Sequence, residues 1–552
     1  MKLIYSLGAA ALAALLLPLQ ACEDLDTAPE GSTVTADQKS DIHNSLPARA
    51  QASVDGMFLA MSRLFGIASL HSDFGYGTIM LMTDSNGEDM VSSDVSYNHF
   101  RASLNWLDRP VTTNAVRYVW NNLYSYIFNA NGLLVSIDPQ TTQPDLLFSR
   151  GQALALRGFS YFQLAQLLQF NIVGHEEAPC VPIVTEANTA EYGVDGGRRA
   201  TVRQVYGQVR ADLDEAIRSL SRAAEARVGR DGKNQVSLGV AYGLRARVNL
   251  VARQWADAAA DAQAAIAASK DLAPASIADL SAPTFVDIGE SNWMWGIDIN
   301  ETDGVATGFA NFPSHICSLS YGYTIMRNSM RISSKLFATI PETDVRRGQW
   351  LVEGQRAFHL TADGDTVDHL TTAMRDYAAS RNYSATVNVK FGPYNGVVGT
   401  STKASDIPLM RIEEMYLILA EAQLKGGNEG LARTTLTNFV KTYRDPAYAV
   451  PEGRDLHQEI WRQRRVEFWG EGISWFDIMR LGMGIDRRNA GFEDTRVYRF
   501  EATDTRLLWQ IPQSEINNNN ALTTADYNPI APDPVAVADN ATASIWDETI
   551  PF

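Results

Sequence analysis

Two stretches of this 552-residue chain share one spacing of small and apolar residues, and that spacing restricts the fold more than any other feature. In QVSLGVAYGLRARVNLVARQWADAAADAQAAIAAS, Ala246 is followed by Ala258, Ala262 and Ala265, at offsets of 12, 16 and 19. In PLMRIEEMYLILAEAQLKGGNEGLARTTLTNFVKTY, Ala420 is followed by Ala432, Leu436 and Phe439, again at 12, 16 and 19. Each segment reads as two helices broken by a short turn, with small residues where the helices approach and later positions wedged against the next pair. Two unrelated hairpins are the alternative, since alanine is common here. Two more pairs fit as diverged relatives. Leu154, Gly158, Tyr161, Ala165 and Leu168 form a helical stripe, partnered by Val205–Leu220 with Leu213, Ala216 and Leu220 inward. Ala48–Leu64 pairs with Val116–Ile137. Four such pairs stack, each burying its face on its neighbours.

The spacing resembles the Ala…Ala…aromatic pattern of tetratricopeptide repeats. The expected fold is mostly α: a tetratricopeptide-like helical solenoid of about four helix pairs, with a large loop-rich insertion containing short strands. Residues 47–273 hold pairs one to three, with inserted loops at 65–115 and 171–200. Residues 274–407 form the insertion, 408–445 the fourth pair and 446–552 a C-terminal region. Trp293–Ile299 and Thr386–Phe391 look strand-like, and Trp293 and Trp295 share a strand face that reads as core. Long loops on a rigid scaffold are where binding is usually placed.

The N-terminus reads MKLIYSLGAAALAALLLPLQAC. Lys2 precedes an apolar run from Leu3 to Leu17, shorter than the ~20 residues a bilayer span needs, so residues 1–21 read as a secretory signal. Leu19-Gln20-Ala21-Cys22 resembles a bacterial lipobox, which makes Cys22 the lipidation site and N-terminal lipid the only membrane attachment. Residues 22–46 read as an acidic, flexible tether with too few apolar residues to fold. The formal net charge of −17 disfavours nucleic acid as a partner.

No catalytic constellation stands out. The sequence holds no His-Glu-x-x-His, Gly-x-Ser-x-Gly, phosphate loop or dinucleotide glycine pattern. Its eight histidines are scattered. No cofactor is expected. Asp84-Ser85-Asn86-Gly87-Glu88 and Asp363-Gly364-Asp365 are fragments of calcium loops, leaving structural calcium as the one metal option. Export would place Cys180 and Cys317 in a compartment that permits oxidation, where a pairing of the two, joining the 171–200 loop to the insertion, is open. In RRVEFWGEGISWFDIMRLG, Glu467 and Glu471 are a carboxylate pair in one reading; the favoured reading is a half-buried helix whose acids pair with arginines.

Several strings together resemble the SusD/RagB family of Bacteroidetes outer-membrane nutrient-binding lipoproteins. They are Arg465-x-Glu467…Glu471-Gly472…Trp475-Phe476-Asp477…Arg480, LMRIEEMYLILAEA at Leu409–Ala422, LRGFSYFQL at Leu156–Leu164, WNNLYSYIFNANGL at Trp120–Leu133, and Ile511-Pro512-Gln513-Ser514-Glu515-Ile516. The resemblance implies a lipid-anchored protein on the outer membrane, facing the cell exterior, that captures a polymeric nutrient. It implies delivery to a partner TonB-dependent, SusC-like transporter, without catalysis. The ligand is a glycan in the first reading and a peptide in the second; a glycoside hydrolase and a structural adaptor are more distant alternatives. Sugar rings stack on exposed aromatics while their hydroxyls need polar side chains. Two stretches offer both: Tyr76, Tyr97, Asn98, Phe100, Arg101 and Trp106, and then Phe309, Asn311, Phe312, Tyr321 and Tyr323.

Overall fold

The structure, a computed structural model, describes residues 36–63, 71–95 and 97–551. The expected signal, Cys22, the tether up to residue 35 and Leu64 lie outside the described residues. The principal helices are α1 (Ala36–Ser45), α2 (Pro47–Leu59), α3 (Tyr76–Asn86), α4 (Asn114–Leu134), α5 (Pro144–Leu168) and α6 (Val202–Glu225). They continue as α7 (Leu238–Val251), α8 (Trp255–Ala268), α9 (Ile412–Lys425), α10 (Glu429–Tyr443), α11 (Leu456–Glu467) and α12 (Ser474–Arg480). Local chemistry sets several starts. Thr113 accepts from the Val116 N–H ahead of α4, Ser237 caps α7, and Thr201 with Gln204 forms a reciprocal capping box before α6. Pro144 opens α5, where its missing N–H costs nothing.

The helices pair as the spacing predicts. α2 packs on α4 and α5, α5 on α6, α7 on α8, and α9 on α10. All eight spacing residues, from Ala246 to Phe439, are buried. A β-carbon on Gly151 would lie 2.6 Å from Leu220, so glycine is what lets α5 and α6 come this close. Arg157 of α5 then forks onto Asp212 of α6 at 2.7 and 2.9 Å. α8 packs directly on α9, so the insertion leaves the solenoid and returns without interrupting the stack. Its neck is closed by an antiparallel pair, β1 (Trp293–Ile297) against β2 (Ile407–Arg411), with Trp293 and Trp295 in the core. Val387, Asn388 and Phe391 of the second strand-like stretch make only isolated bridges, to Arg331, Trp350 and Thr284. Among the described residues no helix is long and apolar enough to cross a membrane.

Two segments differ from expectation. Residues 36–45, the end of the expected tether, are helical: Lys39 Nζ donates to the Gly132 carbonyl at 2.7 Å and the His43 ring meets Ser136 Oγ at 2.9 Å. Polar docking holds a segment that its own apolar content would not. The expected loop at 65–115 contains α3, buried along its whole length and therefore without the polar face that marks a surface helix. Its C-terminal carbonyls are capped from afar: the fully buried Arg487 guanidinium donates to Ser85, Asn86 and Gly87, and also to Leu104. Burial pulls the pKa of Arg487 down to about 9.

A buried ion network fastens the C-terminal region to the solenoid. Glu467 accepts from Arg444 at 2.7 Å, Arg411 at 3.0 Å and Arg346 at 3.2 Å. Glu471 accepts from Arg411 at 2.8 Å and from Lys390 at 2.6 Å. Asp477 is shared by Arg464 and Arg480, and Arg465 reaches Asp89 and Glu548. The motif expected to be half-buried is buried except at Ile473, Ser474, Phe476 and Gly482, which are partly exposed, and most partners of its acids come from elsewhere in the chain.

Asp84 on α3 has no cationic partner of this kind. One carboxylate oxygen accepts the Gly472 N–H at 3.0 Å and the other has no hydrogen-bond partner among the described residues. Burial pushes its pKa up to about 7. The folded protein therefore holds this proton more tightly than the unfolded chain, whose carboxyl titrates near ~3.9, and the contribution to stability falls as pH rises from ~3.9 and is fully lost above about 7. Asp84→Asn, which keeps the acceptor without the charge, is expected to raise the melting temperature at pH ~8 and to raise it less at pH ~5. Thermal unfolding at both pH values checks this; equal shifts would contradict it.

Candidate ligand-binding platform

A two-residue antiparallel pair builds the candidate site. Met90 faces Ile332 and Val91 faces Arg331, so the chain leaving at 92 lies beside the chain arriving at 330. The loop after α3 is thereby set against the middle of the insertion, and Ser93 Oγ donates to the Arg327 carbonyl. Tyr321 N–H donates to the Thr400 carbonyl at 3.0 Å, fixing the far side.

Four of the expected aromatics meet there. Tyr323 stacks with Tyr97 at 6.4 Å between ring centroids and lies 5.3 Å from Phe309, which is 5.5 Å from Tyr321. Tyr97 is 47% exposed and Tyr321 41%; Phe309 is half-buried and Tyr323 forms the floor. Arg101 stands exposed at the edge, 2.5 Å from Asp94. The arrangement is an exposed aromatic surface with polar groups at its rim.

The remaining expected residues are enclosed and do not form that surface. Tyr76 packs on Phe159 at 5.1 Å within α3. Phe100 is 1% exposed, edge-on to Phe74 and to the His315 ring. Trp106 is 3% exposed against Phe500 and Trp475. Phe312 is buried against Phe391. Asn98 and Asn311 are loop braces: Asn98 accepts from the Phe100 N–H at 2.9 Å and donates to the Ser93 carbonyl at 2.8 Å, and Asn311 caps the short helix Phe312–Ile316.

Sequence reasoning missed the histidines. His71, His99 and His315 surround Tyr323: the His99 and His315 rings lie 4.7 and 4.9 Å from it, and the His71 ring nitrogen Nδ1 bonds its hydroxyl. Their sequence separation gives no local signal; only the strand pair brings them together.

Among the described residues no group of three His, Cys, Asp or Glu is placed to hold a metal ion. Of the calcium-loop fragments, Glu88 is occupied by Arg465 and Lys335, and Asp365 sits in the turn of a hairpin joining Phe358–Leu360 to Thr366–Asp368. Cys180 and Cys317 are free and buried rather than paired. Burial raises the Cys180 thiol to about 12, and the Cys317 thiol donates to the Phe391 carbonyl at 3.2 Å. A cavity of about 690 Å³ lies between the two ends of the insertion, lined by Asp287, Asp298, Glu301 and Asp406 with Tyr394 as its one aromatic.

The fold and the platform define a helical-solenoid protein with an aromatic surface carried on inserted loops. Two family profiles match the chain: "SusD family" over residues 341–529 and "Starch-binding associating with outer membrane" over residues 37–250. The chain is a SusD-like protein. A solved SusD-like carbohydrate binding protein from Bacteroides vulgatus ATCC 8482 is similar at a TM-score of 0.70 and 24% identity, covering 88% of this chain and 98% of that one. A SusD superfamily protein from Bacteroides thetaiotaomicron VPI-5482 is similar at 0.67 and 22%, covering 88% and 99%. A laminarin binding SusD-like protein is similar at 0.55 and 17%, covering 87% and 99%. A search of the curated proteins returned no significant match.

Proposed function

We propose that this protein captures a glycan on the Tyr97–Phe309–Tyr321–Tyr323 platform at the cell surface and hands it to an outer-membrane transporter. One observation carries the reading: aromatics from two stretches more than 200 residues apart in sequence meet on a single open surface. Sugar rings present C–H faces that such rings stack against, and Arg101 and the imidazoles at the rim suit hydroxyl groups. An exposed surface suits a polymer, which has to lie across its site. The family description of starch binding in association with the outer membrane supports the reading, as does the laminarin binder among the similar structures. In the same reading Cys22 carries the lipid that holds the protein to the outer membrane, facing outward, and a SusC-like TonB-dependent transporter is the partner. No catalytic step is part of it.

Affinity electrophoresis and calorimetry against starch, laminarin, a uronic-acid polymer and a protein digest test the proposal. Binding to at least one glycan without new reducing ends is expected. Binding to the digest alone would replace the glycan with a peptide, and new reducing ends would contradict a purely capturing role.

A further inference from the structure

We infer that His71 and His99 are the groups that read ligand hydroxyls on the platform, with His315 positioning them from behind. This rests on the glycan-capture reading. His99 is half-buried, stands 5.3 Å from His71 and 4.7 Å from Tyr323, and makes no hydrogen bond through either ring nitrogen among the described residues. His71 is exposed; its Nδ1 is joined to the Tyr323 hydroxyl, and its Nε2 has no partner among the described residues. His315 differs. It is fully buried, its Nε2 donates to the His71 carbonyl at 2.8 Å, and its ring is sandwiched between Phe74 at 5.5 Å and Tyr323 at 4.9 Å. It fixes the backbone of one reader and the ring beside both.

A neutral imidazole offers one donor and one acceptor, which is the pattern a saccharide hydroxyl needs, since it both donates and accepts. A merely packed histidine in this setting would be expected to satisfy at least one nitrogen on the protein, as His315 does.

The surroundings keep His99 neutral. Burial, and then the neighbouring His71, lower its pKa from the ordinary histidine value. On its own loop Arg101 and Asp94 are paired with each other, and Asp94 is also held by Arg496. From the facing segment come His315, whose pKa burial pushes to about 3, with Tyr323, Tyr321 and Arg327. Near His71 the chain adds Asp73, which is buried. The segment 64–70 contributes no titratable residue to the sequence. Acidification thus converts His99 from a donor–acceptor into a cationic double donor, and neutral-glycan binding is present above its pKa and lost below it.

The test measures binding of laminarin and starch at about pH 7.5 and about pH 5 for the wild type, His99→Ala, His99→Gln and His71→Ala, with melting temperatures taken at both pH values. Wild-type affinity is expected to fall only on acidification below the ordinary histidine value. His99→Ala and His71→Ala should each weaken binding at pH ~7.5 by about fivefold or more, roughly one hydrogen bond. His99→Gln, a neutral donor and acceptor at both pH values, should retain most of the affinity and flatten the pH dependence. Wild-type affinity that rises in acid would overturn the inference while leaving glycan capture intact. So would a His99→Ala that binds like wild type. Absence of glycan binding by the wild type at either pH would instead overturn the capture reading, and this inference with it.

Discussion

Glu467→Ala is expected to destabilise the protein by about 3–5 kcal/mol, enough to prevent accumulation of a folded chain at moderate temperature. The reason is what remains behind. Glu467 is the common acceptor for Arg346, Arg411 and Arg444, all of them buried. Removing it leaves three guanidiniums without water and short of their shared counter-charge, retaining only Asp344, Glu413 and Glu471 nearby. Those arginines belong to the insertion, β2 and the segment after α10, so the loss is felt where the C-terminal region meets the solenoid. Glu467→Gln keeps the shape and some hydrogen bonds but removes the charge, and a smaller loss is expected. Burial alone would raise the Glu467 carboxyl, but Arg444, Arg411 and Arg346 outweigh it and hold it well below the ordinary carboxylate range. Its contribution to stability is therefore complete above the unfolded value of ~4.3 and is lost as pH falls through the depressed folded value. Denaturant unfolding measures both effects. A loss below about 1 kcal/mol for Glu467→Ala would show that the network is not what joins the two parts.

Trp106→Ala is expected to cost a comparable amount, about 3–5 kcal/mol, while leaving binding by the folded molecules unchanged. Trp106 packs edge-on to Phe500 at 4.8 Å and near Trp475 at 5.7 Å, and the Arg109 guanidinium sits 5.0 Å from its ring. The same guanidinium lies 4.0 Å over Trp509, so deletion of Trp106 opens a cavity and removes one wall from a buried cation. Its backbone is left-handed at φ 56°, an uncommon conformation for a residue other than glycine. Trp106→Phe should recover part of the loss. Melting temperature and glycan affinity, measured on the same samples, check the assignment: a large loss of binding with an unchanged melting temperature would return Trp106 to the site.

The sequence separated scaffold from site unevenly, for identifiable reasons. The solenoid was legible because helix pairing is periodic: Ala246 to Ala265 and Ala420 to Phe439 repeat one spacing. α3 escaped notice because a helix buried on every side carries no polar stripe. Tyr97, Phe309, Tyr321 and Tyr323 could be nominated as loop aromatics, but nothing in their neighbourhoods distinguished them from Phe100, Trp106 or Phe312. That distinction is made by long-range packing on Phe74, Phe500 and Phe391. The histidines are harder still: residues 71, 99 and 315 are joined only through the pairing of Met90 with Ile332 and Val91 with Arg331. The ion network was legible as composition, since both signs were present in one motif, but not as pairing. Arg411 and Glu467, 56 positions apart, are connected only by the fold.

The central claim is that an aromatic platform, not an enclosed cavity, binds the glycan. Its most direct test is the affinity of the Tyr97→Ala, Tyr321→Ala double variant for the glycan that the wild type binds best, with melting temperature measured alongside. Each ring is expected to contribute at least tenfold, about 1.4 kcal/mol, so that the double variant binds about a hundredfold more weakly while its melting temperature stays near that of the wild type. Wild-type affinity in a folded double variant would contradict the account and place the ligand elsewhere on the molecule.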